Sequence, residues 1–245
     1  MKCQFCEKRF PKLVKSHVIP RSFYKALRDD LKGYSIFLEA GTRQNNEKYY
    51  QAGIHDSEIA CETCERLFSP FDKHGYEVLT KALAEKKIYY DFDGYPCAYF
   101  IENADYTKLK LFILSMLWRA HASNHKFFSN VALGSHATIL RSYISSGTAP
   151  PSEEYGVTFF HRVSQQYPGV LIPPWRDRIQ GVNLYRFYLP EIVVLITVDK
   201  QPMPKPFDVM LLGESLHYIG LLPGVDSSEQ RYIEEMRKQL RKNMQ

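Results

Sequence analysis

Apolar residues recur along this chain with two different periods. After Asp105, residues Leu109, Phe112, Ile113, Met116, Leu117 and Ala120 return every three or four positions, which predicts a helix with one apolar face and Asp105 as its cap. Similar reasoning predicts helices over 21–31, 76–87 and 135–145, and a polar, charged helix over 227–245. Residues 12–19 are β-branched and partly alternating, which predicts a strand ending at Pro20, with a second strand over 54–60. A helix is expected to begin at Cys61–Cys64 and to pass Leu67 and Phe68, with Pro70 leaving its end open. The polar stretch 41–53 and the run from Gly147 to Ser152 read as loops. Strands are expected over 88–92, 98–101, 155–163, 182–189 and 192–198, with 209–212 and 216–222 as further candidates. The predicted class is α+β. It divides into a small unit at 1–80 and a larger mixed unit at 81–245.

The chain has 245 residues, 44% hydrophobic and 24% charged, an ordinary globular composition. No apolar run reaches the ~18 residues of a membrane span, and the first residues lack the apolar core of a secretory signal. The expectation is a cytoplasmic protein without membrane contact. The net charge of +5 is unevenly placed. Residues 1–28 hold eight lysines and arginines against Glu7 alone, so the remainder is slightly acidic. A basic segment on a near-neutral body suits a polyanion, since each phosphate contact releases counterions; a solvated basic surface is the alternative.

Cysteines change the picture further. Four of the five form two Cys-x2-Cys pairs, Cys3–Cys6 and Cys61–Cys64. A two-residue gap lets both thiolates of a pair turn toward one point, and two pairs complete a tetrahedral, sulfur-only zinc site. Such a clamp closes a segment too short for a large core, so metal binding would contribute to its folding. A redox role suits a single reactive dithiol better than two symmetric pairs. Cys97 has no partner in the pattern and reads as a small apolar residue.

Between the pairs stands Ser16-His17-Val18-Ile19-Pro20, and Glu65 follows Cys64 directly. This order resembles the zinc-knuckle HNH endonucleases of the ββα-metal fold, over residues 1–80, and within them a bacterial branch. The resemblance implies a structural zinc on Cys3, Cys6, Cys61 and Cys64 and a catalytic Mg²⁺ or Mn²⁺ elsewhere. It makes His17 the general base and Glu65 a ligand of the catalytic ion. Asp56 lies near the place of the family's asparagine. Asp72, seven residues after Glu65, shares its helix face if the helix passes Pro70, and is a second candidate ligand; His74 lies close by. Lys15 and Arg21 are candidate phosphate contacts. The implied substrate is double-stranded DNA, with residues 81–245 recognising substrate, docking a protein partner or restraining the nuclease, and with defence against foreign DNA as the implied setting.

The chemistry matches that division of labour. Phosphodiester hydrolysis needs a base for the attacking water and a hard, oxygen-bound cation for the developing charge, a task closed to a zinc enclosed by sulfur. A histidine titrates near neutrality and suits the base. The chain departs from the pattern at Ser16, a weak ligand where the family has a metal-binding residue, and in the missing asparagine. A zinc-stabilised module that binds nucleic acid or protein without cleaving is therefore the alternative. Each candidate also has a structural reading: Glu65 suits a first helical turn, and Trp118 and Arg119 suit core packing and an ion pair.

Overall fold

The computed structural model describes residues 1–24, 36–37, 48–49, 53–161, 172–198, 200–215 and 217–221. The expected helix over 227–245 lies outside them, as do most of the loop at 41–53 and all but the opening, at 21–24, of the helix at 21–31.

In the first 56 residues the described strands are short. β1 (Ser16–His17) pairs antiparallel with β4 (His55–Asp56), placing Ser16 opposite Asp56 and His17 opposite His55. β2 (Ile36–Phe37) pairs antiparallel with β3 (Lys48–Tyr49). The strands expected over 12–19 and 54–60 shrink to these two-residue pairs because their flanks bond elsewhere. Val14 N–H donates to the Ala60 carbonyl, and Gln4 N–H donates to the Ile59 carbonyl. The cysteine knuckles thus take main-chain partners that a longer hairpin would use.

α1 (Glu62–Glu85) continues through Pro70 for 24 residues. Ser69 and Pro70 lie on its exposed side, where water can serve the carbonyl that proline leaves without a donor. The predicted helices on either side of Pro70 are therefore one. α2 (Tyr106–Ala122) begins where expected: the Asp105 carboxylate accepts from Lys108 N–H at 3.0 Å. It is not amphipathic in place. All residues from Leu109 to Ala120 are buried, including Lys110, Ser115 and Arg119. α1 crosses α2 at Gly75, where a Cβ would lie 2.2 Å from Phe112 Cδ1, so only glycine permits that approach. α3 (His136–Ser146) ends at Gly147, whose φ of +69° is the left-handed cap glycine favours.

The remaining strands build one seven-stranded sheet: β5 (Ile88–Tyr90), β6 (Pro96–Phe100), β7 (Val157–His161), β8 (Trp175–Ile179), β9 (Val182–Leu189), β10 (Ile192–Thr197) and β11 (Tyr218–Leu221). Their spatial order is β5-β6-β11-β7-β10-β9-β8, with β11–β7 the parallel pair. Of residues 209–212, a strand candidate, the first two lie in a 3-10 turn over Phe207–Met210 and Leu211 makes a single antiparallel bridge to Thr158.

Along β9 the two faces alternate. Tyr185, Phe187 and Leu189 join the core beneath the helices, while Leu184 and Tyr188 join a smaller cluster on the opposite face. The main core runs without a seam from Cys3 to Ile219. The boundary expected near residue 80 falls inside α1, and the four-cysteine segment packs on the same core as the sheet. Among the described residues no helix is long and apolar enough to cross a membrane.

Candidate metal centre and adjoining polar site

Four thiols converge where the chain's first turn meets the start of α1. The ligand atoms of Cys3, Cys6, Cys61 and Cys64 all lie within 4.8 Å of one another. Cys6 Sγ is 3.9 Å from Cys61 Sγ, and Cys61 Sγ is 3.5 Å from Cys64 Sγ. Four sulfurs at about 2.3 Å from a tetrahedral ion stand roughly 3.8 Å apart, so the set fits a metal ion such as zinc. None of the four is in a disulfide.

The local backbone explains the convergence. Glu7 adopts φ +60° and its N–H donates to the Cys3 carbonyl at 2.9 Å, closing a tight knuckle. Cys61 precedes the first turn of α1, and its N–H points at Cys3 Sγ at 3.3 Å. Burial pushes the Cys3 thiol up, but backbone N–H groups of Cys6, Cys61 and Phe5 outweigh it and leave the thiol below its ordinary value. Burial pushes Cys6 and Cys64 up, and for Cys64 the neighbouring thiols add to the rise. Sulfurs this crowded ionise together only with a cation among them.

Directly beside this cluster lies a second constellation. Buried Ser16 donates from Oγ to Glu65 Oε2 at 2.7 Å, tying β1 to the first turn of α1. His17 is half-buried, and its ring centroid lies 5.6 Å from that of His55 across the ladder. Arg119, fully buried on α2, donates to the His17 carbonyl at 2.7 Å and to both Asp72 oxygens at 2.9 and 2.6 Å. One guanidinium therefore joins β1, α1 and α2, with the Phe68 ring 5.0 Å away.

No match emerges when the chain is compared with known protein families, characterised proteins and solved structures.

The expected site residues thus separate into two groups. Glu65 and the four cysteines come together around the start of α1, and Ser16, the residue before His17 on β1, reaches Glu65, while the His17 ring lies beside His55. Asp72 does share a side of α1 with Glu65, whose charge it feels, but both its oxygens are engaged by Arg119. Burial pushes the Asp72 carboxyl up, and Arg119 opposes that rise. Asp72 therefore anchors an arginine. Asp56 is an anchor too. Its Oδ1 accepts from Glu58 N–H at 2.8 Å, and its Oδ2 accepts from Ser123 Oγ at 2.9 Å and Asn124 N–H at 2.8 Å, fastening β4 to the end of α2. His74 accepts from Asp105 N–H at 2.9 Å, and burial holds its imidazole below the usual value.

Lys15 and Arg21 flank the strand and are exposed, together with Lys2, Lys8, Arg9 and Lys12. Sequence reasoning missed His55 as the cross-strand neighbour of His17, although strand alternation would have found it once the pairing was known. It read Arg119 as an ion pair without the partner. A charged residue within the mostly apolar run Leu111–Ala120 was the available signal.

Proposed function

We propose that this chain is a metal-dependent endonuclease of the HNH type that hydrolyses phosphodiester bonds of double-stranded DNA, in the setting of defence against foreign DNA. The observation that carries this reading is the Ser16–Glu65 hydrogen bond. It sets the strand bearing His17 against the helical turn that follows Cys64. His17 takes the proton of the attacking water, and its imidazole is suited to that step at neutral pH. Ser16 and Glu65 offer the oxygens for a hard divalent ion, Mg²⁺ or Mn²⁺, which would supply charge stabilisation at the scissile phosphate. The four-sulfur site holds the segment together and takes no part in the reaction. The exposed basic residues around β1, Lys15 and Arg21 among them, give the polyanion affinity.

A second reading is favoured by one detail: the Ser16 hydroxyl, Glu65 and Asp72 are all engaged within the protein. On that reading the chain binds nucleic acid or a protein partner and does not cleave. Supercoiled plasmid incubated with the protein and Mg²⁺ or Mn²⁺ separates the two. The nuclease reading expects nicked or linear product, abolished by His17→Ala with folding and zinc content intact. Retarded but uncut DNA with either metal would establish the module.

A further inference from the structure

β5 is the outer edge of the seven-stranded sheet, and among the described residues no strand pairs with its far side. The ladder to β6 fixes how its main-chain groups point, and its register shift between Tyr89 and Tyr90 places the extra residue, Cys97, on β6, so alternation along β5 itself is kept. The Lys87 carbonyl accepts from Phe100 N–H at 2.8 Å, and Asp91 N–H donates to the Tyr95 carbonyl at 2.9 Å. Lys87, Tyr89 and Asp91 thus turn their groups toward β6, and alternation turns the N–H and C=O of Ile88 and Tyr90 outward. The side chains along this edge are apolar and exposed: Ile88 at 47%, Tyr89 at 44% and Tyr90 at 55%, with Phe92 beyond them fully in solvent. Edge strands are commonly guarded by central charges, proline or a covering segment, because an open apolar edge recruits another strand. Here the charges stand only at the ends, Lys86 and Lys87 before the strand and Asp91 and Asp93 after it.

We propose that β5 is a homodimer interface, in which a second copy of this chain pairs antiparallel with it about a two-fold axis at Tyr89. Three features select that partner and register. The outward groups of Ile88 stand opposite those of the copy's Tyr90, so each such pair exchanges two N–H···O=C bonds. Lys87, which within its own chain pairs with Glu102 at 2.6 Å, stands opposite the copy's Asp91, whose Oδ1 accepts from Asp93 and Tyr95 N–H, at the positions of an antiparallel ladder where side chains approach most closely. A strand basic at its start and acidic at its end complements itself only when antiparallel. A shift by two residues would need Phe92, which already belongs to the turn closed by Asp91 and Tyr95. The two sheets then become one continuous sheet, and the exposed Ile88 and Tyr90 side chains cover one another.

The molar mass of the full chain, followed by light scattering as concentration rises, is expected to climb from one chain toward two. Tyr90→Pro is expected to keep it at one chain with an unchanged circular dichroism spectrum. The amide it removes points away from β6, so the internal ladder survives. Tyr89→Cys in a Cys97→Ser background is expected to form a disulfide-linked dimer under glutathione exchange, because the axis brings the two position-89 residues together. A chain that stays monomeric at every concentration, its edge unused or closed by another part of itself, would overturn the proposal. So would a Tyr90→Pro variant that dimerises like the wild type. Should Tyr90→Pro fail to fold, the cross-link decides: its formation supports the interface and its absence sinks it.

Discussion

Arg119 donates a 2.7 Å hydrogen bond to the carbonyl oxygen of His17, across a sequence separation of 102 residues. The same guanidinium grips Asp72, so the candidate base is held in place by a buried charge pair on two helices. Removing the arginine leaves Asp72 partly buried with an unpaired charge. Arg119→Met is expected to lower the unfolding free energy by about 3–5 kcal/mol. In urea unfolding the paired change Arg119→Met with Asp72→Leu should recover part of that loss. Equal losses for the single and double variants would contradict the coupling.

Zinc should belong to the fold. Elemental analysis is expected to give one zinc per chain, and Cys61→Ser should abolish it. Strong chelation should lower the melting temperature, because the ion's binding energy is folding energy for the segment it closes. Unchanged thermal stability after verified zinc removal would contradict the clamp.

Gly75 is the point where α1 meets α2. Gly75→Ala puts a methyl group 2.2 Å from Phe112 Cδ1, well inside van der Waals contact. The two helices must part or Phe112 must leave its position, at a cost of about 1–3 kcal/mol. Chemical denaturation measures it.

Buried Lys110 reaches only the Ser152 carbonyl among the described hydrogen-bond partners, at 3.2 Å, and burial lowers its pKa to about 7. A lysine depressed on folding binds its proton more readily in the unfolded chain. Between pH 7 and about 10.5 the unfolded state therefore holds more protons, and this group's contribution to stability rises with pH across that window. Lys110→Met is expected to stabilise the protein most below pH 7, with the gain shrinking as pH approaches 10.5. Urea midpoints of both proteins across that range test the sign, and a gain that grows with pH would refute it.

Elements with strong periodicity were legible in the sequence. β9 lies where its apolar run predicts, and α2 starts at its cap. β8 was missed because Trp175-Arg-Asp-Arg-Ile179 is polar at an outer edge, and its hairpin to β9 turns on Gln180 and Gly181, both at positive φ. The four-cysteine cluster was legible because ligand spacing is local chemistry. The roles of Asp56 and Asp72 were not, since both are set by partners on α2 or just beyond it, more than 45 residues away. A division near residue 80 looked natural because the clamp, whose last cysteine is Cys64, closes off the opening segment. What overrides it is tertiary: α1 runs on to Glu85, and its buried face joins the core of the sheet.

Whether the four-sulfur clamp sets a second, oxygen-lined cation site at Glu65 is read most directly by titrating zinc-loaded protein with Mn²⁺ and following free Mn²⁺ by electron paramagnetic resonance. One Mn²⁺ per chain, lost in Glu65→Ala while zinc is retained, is the expected result. No bound Mn²⁺ in the wild type, or binding indifferent to Glu65, would contradict the account.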